Sequence, residues 1–501
     1  MVRAIKNLSD QYAKNRFITS CRIAAYHNYF KGFRNVAIAE FNEEQMRQFI
    51  SNWFIADPNP SLTRKQKLDY GADCWQQLQD ASCIGTKELS QTPLLLTFVC
   101  LVYRQSRSIT NDRALLYTEA LNILLKQWAE EKVLEKSWEI YKDLNPRLEK
   151  DLLAEIAYVG FEDDRLYFKK DDLAQQISTF LTDNLKAPTH LDADAVIDAI
   201  AEQQGIFVER ARGVYSFSHL TLQEFLCAEH VVYNLDKLIR HATESRWREV
   251  FFLATGLMGR NAIGLLEKLE LQTQELSEHP KLKELLILAE AKTSHAASDY
   301  SDEIKRVFTL LLILDIARAC DLASDFDNAH ACASDLDIAR DITHARALAR
   351  ARNIANDLTF ALARDLGSDL DIAYTRARNI ARDIESDLDI ASVLDLTRTS
   401  ARATVALDKQ LIANVNLQSL ISYLDDSLDS STVSPEGLTS IISSSLDISA
   451  EYLDLSRDEV EAITEYLSTC QLMIDCSKQA SGLSAKDWNA IQQRMFLPPQ
   501  H

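Results

Sequence analysis

The chain has 501 residues, 47% of them hydrophobic and 26% charged, with a net charge of -20. That is long enough for two to four domains of ordinary globular composition. The acidic bulk argues against broad contact with a nucleic-acid backbone, and no run approaches the ~18 uninterrupted apolar residues of a membrane span. The charge is uneven: residues 1–70 hold eleven Lys/Arg against six Asp/Glu.

With only 12 Gly and 9 Pro, long helices are expected to dominate. The first segment reads as α/β. Short β-prone runs at 16–20 (RFITS) and 35–41 (NVAIAEF) flank a region too small for a sheet of its own, so they read as the end of a larger α/β domain. A helix follows from Glu43, announced by an Asn42/Gln45 capping box and a Phe41/Met46 staple. Asp57-Pro58-Asn59-Pro60 is a linker. Helices are predicted from Lys65 to Cys83, after Thr92-Pro93, and from Leu115 to Trp128.

Residues 147–159, 171–183 and 193–203 read as three helices. The runs IFVER and VYSFS, joined by Ala211-Arg212-Gly213, then form a hairpin with period-two patterning. The next stretch, YSFSHLTLQEFLCAEH at 215–230, starts a helix near His219, with Thr221 and Glu224 spaced as a capping box. Three helices, a hairpin and a further helix make a winged helix.

From about 240 onward the pattern is helical, beginning with Trp247 to Leu257. Residues 311–400 are rich in Asp, Arg, Ala, Leu and Ile and contain neither Lys nor Pro. SDLDIA occurs at 334, 368 and 386, and RARNIA at 350 and 376. The spacing is irregular, so this is a motif-biased helical segment and not a solenoid of fixed repeat. Its packed helices with solvated Asp and Arg need no ligand to explain them. An acidic helical unit, 411–501, closes the chain.

Nine scattered cysteines without a C-x-x-C pair read as free thiols of a reducing compartment. No zinc-ligand spacing is present, and no nucleophile–base–acid triad can be placed.

Taken together, Phe217-x-His219 with Gln223-Glu224-Phe225 after a glycine-turned hairpin resembles the winged-helix segment of NACHT-type STAND NTPases, the NLR-like signalling ATPases. The likeness covers roughly residues 1–260. It implies a mainly α fold: a remnant of the α/β nucleotide-binding core (1–55), a helical lid (56–142), a winged helix (143–238), a helical linker (239–310), the Asp/Arg/Ala-rich segment (311–410) and an all-α C-terminal domain (411–501). It further implies nucleotide-facing roles for three residues. Arg22, at the end of Ile18-Thr19-Ser20-Cys21-Arg22, resembles the sensor arginine that reaches the terminal phosphate. Pro93 resembles the proline of the G-x-P motif that abuts adenine, although Ser90 or Gln91 stands where glycine is expected; it also suits a helix first turn. His219 resembles the histidine that touches the β-phosphate of ADP in the resting state.

One element of the family pattern is missing. A phosphate-binding loop requires G-x-x-x-x-G-K-[ST], and the sequence contains no Gly-Lys pair. The resemblance therefore implies a truncated or split cytoplasmic member that is not an ATPase by itself. It would bind ATP or ADP with Mg only if a P-loop half is supplied. Its expected partner is a protein, either that ATP-binding half or further copies of itself. In intact relatives such switches often serve defence against phage. Two other readings stay open: a winged-helix nucleic-acid-binding regulator, disfavoured by the acidic helix at 193–203, and a helical interaction adaptor in which Arg22 and His219 are dispensable.

Overall fold

The computed structural model describes residues 40–80, 93–109, 112–131, 146–184, 193–198, 206–294, 301–307 and 455–499, with a few isolated positions. Arg22, both strand runs expected before Asn42, and the 311–400 motifs lie outside the described residues. The chain divides into two compact units, Met1–Ile109 and Thr110–His501.

The described part of the first unit is helical. Helix α1 (Glu43–Ile55) starts at Asn42, whose Oδ1 accepts from the Gln45 amide while Gln45 Oε1 accepts from the Asn42 amide, both at 2.9 Å. Phe41 meets Phe49 at 5.9 Å between ring centroids. The i, i+4, i+8 set Met46, Ile50 and Phe54 is buried, one stripe of the helix. Helix α2 (Arg64–Leu78) repeats the device with Thr63 and Gln66. Helix α3 (Pro93–Ser106) begins on Pro93, where a missing N–H is harmless. It packs on α1 and α2, with the Phe54 and Tyr103 rings edge to face at 5.7 Å and the Tyr103 hydroxyl donating to Asp73.

The second unit begins with α4 (Arg113–Glu131) and α5 (Pro146–Glu162). After α5 come a two-residue strand β1 (Phe168–Lys169), α6 (Lys170–Asn184) and α7 (Ala193–Asp198). Then follow β2 (Phe207–Ala211), β3 (Val214–Phe217) and α8 (Leu220–Val231). The strands form one antiparallel sheet in the order β1-β3-β2. Phe168 pairs with Tyr215 and Phe207 with Phe217, and a register shift lies between Glu209 and Ala211. The predicted hairpin is present. Strand β1 was not foreseen, because two residues carry no periodicity. It is admitted by Gly160 on α5: a Cβ there would lie 2.4 Å from the Phe168 ring. The Phe168 and Phe207 rings meet Phe217 edge-on at 6.0 and 4.9 Å.

Downstream lie α9 (Asp236–Ile239), α10 (Arg248–Met258), α11 (Ile263–Leu276) and α12 (Pro280–Thr293). Ser245–Leu276 contains a window apolar enough to cross a bilayer, with mean hydropathy 1.2. It is not one helix. Gly259, at φ +52, ends α10 after 11 residues, and α11 restarts for 14. Each is shorter than the ~20 residues a span requires, and a positive φ is where glycine is favoured. Their apolar faces are spent inside the protein: Val250, Phe251, Leu253, Leu265, Leu266 and Leu269 are all buried.

The chain end returns to cover them. Helix α13 (Arg457–Gln479) packs on α10, α11 and α12, and α14 (Ala485–Arg494) on α11. Arg494 grips Glu270 with two bonds of 2.6 and 2.8 Å, a fork geometry suited to carboxylate. Buried Arg306 donates to the carbonyls of Gln493 and Met495. The described architecture is mainly α, with the small sheet confined to the wing.

Candidate functional site: the two ends of helix α8

Helix α8 follows the wing after a two-residue step. Ser218 N donates to Ile206 O at 2.7 Å. Arg210 crosses from β2 to bond Ser216 Oγ at 2.9 Å and Ser218 O at 3.1 Å. These contacts fix the direction in which the helix leaves the sheet. His219 is the N-cap, with extended backbone (φ -138, ψ 142), and its side chain makes no capping bond. Its carbonyl accepts from the Leu222 and Gln223 amides, which leaves the Leu220 and Thr221 amides at the helix tip without an intrahelical acceptor. His219 is exposed. An exposed imidazole thus stands beside outward amides and the positive end of a helix dipole, an environment that favours an anion.

The expected Thr221/Glu224 capping box is not formed at this start. The helix begins at Leu220, so Thr221 is already its second residue. The extended backbone of His219 takes the cap position that spacing alone gave to threonine.

Behind the tip the helix is immobilised. Phe225, Leu226, Ala228 and Val231 are buried, and Phe225 stacks on Tyr117 at 5.3 Å. Buried Gln223 donates from Nε2 to Arg165 O at 3.3 Å. Burial pushes the Cys227 thiol well up. Cys74, Cys83, Cys100, Cys227, Cys470 and Cys476 are buried thiols outside any disulfide. Among the described residues no group of three His, Cys, Asp or Glu could hold a metal ion.

The other end of α8 enters a polar and aromatic cluster that sequence reasoning missed. His230 stacks on Tyr158 at 4.6 Å and faces Lys237 Nζ at 3.0 Å. Burial first, and the Lys237 charge second, lower its pKa to about 4. The imidazole is therefore neutral near pH 7 and accepts from the ammonium. Next to it, His241 stacks on buried Trp247 at 3.9 Å. Its Nδ1 lies 2.6 Å from Glu244 and its Nε2 3.1 Å from Glu162. Burial works against the Glu244 carboxylate, but the bonds from His241 and Arg246 overcome it and hold its pKa down. Arg240 donates to the Tyr158 hydroxyl at 2.7 Å. Trp247 also meets Phe161 edge-on at 4.9 Å. The cluster ties α5 and α8 to the helices that follow.

Of the sequence-predicted site residues, His219 stands at this helix tip in the second unit. Pro93 is the exposed first residue of α3 in the first unit. Arg22 is outside the described residues.

A wing of antiparallel strands followed by a docked helix defines a winged-helix domain. Residues 113–231 match the winged helix-turn-helix domain C-terminal to NACHT. Residues 406–498 match the NACHT C-terminal helical domain 2. No curated protein matches the chain. The chain carries a C-terminal NACHT-associated portion, and neither match is to the NTPase domain itself. The first match begins with α4, inside the range read above as lid, and ends with α8.

Proposed function

We propose that the chain is the regulatory half of a nucleotide-controlled signalling switch of the NACHT type, working in the cytoplasm. The observation that carries this reading is His219. It is exposed at the tip of a helix whose remaining length is locked into the core, and it is not used to cap that helix. In this reading His219 and the neighbouring amides contact the β-phosphate of ADP. The phosphates themselves are gripped by a P-loop, which this sequence lacks. The domains matched at 113–231 and 406–498 support the assignment to the regulatory side. The chain by itself then neither holds nor hydrolyses ATP, and its partner is a protein bearing the nucleotide-binding core. Helix α7 speaks against a nucleic-acid reading, since it offers Asp194 and Asp198, both near Lys170, where a duplex reader needs cations.

The test mixes the chain with a P-loop-bearing NACHT core and follows release of labelled ADP. His219→Ala is expected to speed release at least tenfold without lowering the melting temperature. Equal release from variant and unmodified protein removes His219 from the switch. Micromolar ATP affinity of the chain without any partner overturns the claim that it is only half of one.

A further inference from the structure

Between α5 and α6 lies a cleft of about 350 Å³. Its floor is Leu152, Ile156 and Val159, spaced i, i+4, i+7 on one face of α5 and so about 10 Å long. Its rim is acidic and amidic, with Glu155, Asp172 and Gln175 among the lining residues.

Three observations say what chemistry is unmet there. Glu155 is half-buried. Burial raises its pKa, Lys237 opposes that and Asp183 adds to it. Secondly, the cation in the cleft, Arg165, already turns its Nη2 to Asp163 at 2.7 Å. Thirdly, its Nε is a buried donor without an acceptor, and Gln176 Oε1 is a buried acceptor without a donor. One unmet donor and one unmet acceptor therefore belong to residues that line the same cleft.

We propose that this cleft is a docking groove for a basic stretch of a partner polypeptide. A lysine or arginine lays its methylenes against Val159, above the buried Leu152 and Ile156, with its charged head between Glu155 and Asp172. The peptide group beside it bonds Arg165 and Gln176. Long cationic side chains cover apolar surface in this way while keeping the head polar. The acidic rim, extended by Asp171, excludes a nucleic-acid backbone as occupant.

The proposal is tested on the full chain by fluorescence anisotropy. The probe is a labelled eight-residue peptide with three arginines among leucine and alanine, compared with its counterpart carrying glutamine for arginine. The arginine peptide is expected to bind at least tenfold more tightly. Glu155→Gln and Asp172→Asn should each weaken it at least fivefold. Thr179→Lys, which tethers an ammonium at an exposed lining position, should weaken it at least tenfold. Glu267→Gln, an exposed charge on α11, should leave it unchanged. Circular dichroism verifies folding, and Thr179→Lys decides the matter should Glu155→Gln not fold. Equal affinity for the two peptides overturns the groove, and so does binding untouched by Thr179→Lys.

Discussion

The two ends of α8 are built for opposite purposes. At the C-terminal end, His230, Tyr158, Lys237, His241 and Trp247 stack and bond to one another, with Trp247 fully buried. At the N-terminal end His219 is exposed and its side chain makes no capping bond. The helix is thus anchored at its C-terminal end, and its N-cap residue is exposed. The usual cap residues Ser, Asp or Asn would serve folding better than histidine.

That contrast can be broken most forcefully at the anchored end. Trp247→Ala removes a fully buried side chain packed on Phe161 and His241. It should cost about 3–5 kcal/mol in denaturant unfolding, and a loss below ~1 kcal/mol would mean that the cluster does not anchor the helix. Gly160→Ala forces a methyl into the Phe168 ring and should cost about 1–3 kcal/mol by overpacking. Phe168→Leu in the same chain should return part of that loss if the ring is what the methyl meets.

The pH dependence sharpens the picture further. His230 has a pKa near 6.5 unfolded and about 4 folded, so between these values the unfolded chain binds more protons. Its contribution to stability is full above pH 6.5 and is lost as pH falls through about 4. His230→Gln should therefore flatten the fall in melting temperature across that window, and an unchanged pH profile would remove His230 from the anchor.

The smallest effect belongs to the open tip. His219→Ala should change stability by no more than ~0.5 kcal/mol, and His219→Asn should raise it by roughly 0.5–1 kcal/mol through a new cap. A large loss from His219→Ala would abolish the contrast between the two ends.

Legibility in the sequence follows the range of the interactions. The Asn42/Gln45 cap and the hairpin closed at Gly213 are local, and their spacing announces them. The start of α8 is off by a cap choice, because Thr221 and Glu224 satisfy the same spacing rule as a true box. Strand β1 is too short to show a period. The anchor around Trp247 was invisible for a different reason. His241 and Arg246 meet Glu162 and Phe161 across about 80 positions, and no pattern within either stretch points to the other. Of the site, the sequence reached His219 through family likeness, and the structure supplied its exposure and the rigidity behind it.

The return of the chain end to α10, α11 and α12 has a consequence for synthesis. Arg248 meets Asp475 across 227 positions and Glu270 meets Arg494 across 224. At ~5–20 residues per second a ribosome needs roughly 10–45 s between emitting the first partner and the second. Through that interval Leu265, Leu266 and Leu269 wait without the cover that α13 and α14 later provide. This stretch stays uncovered until the chain end has been made.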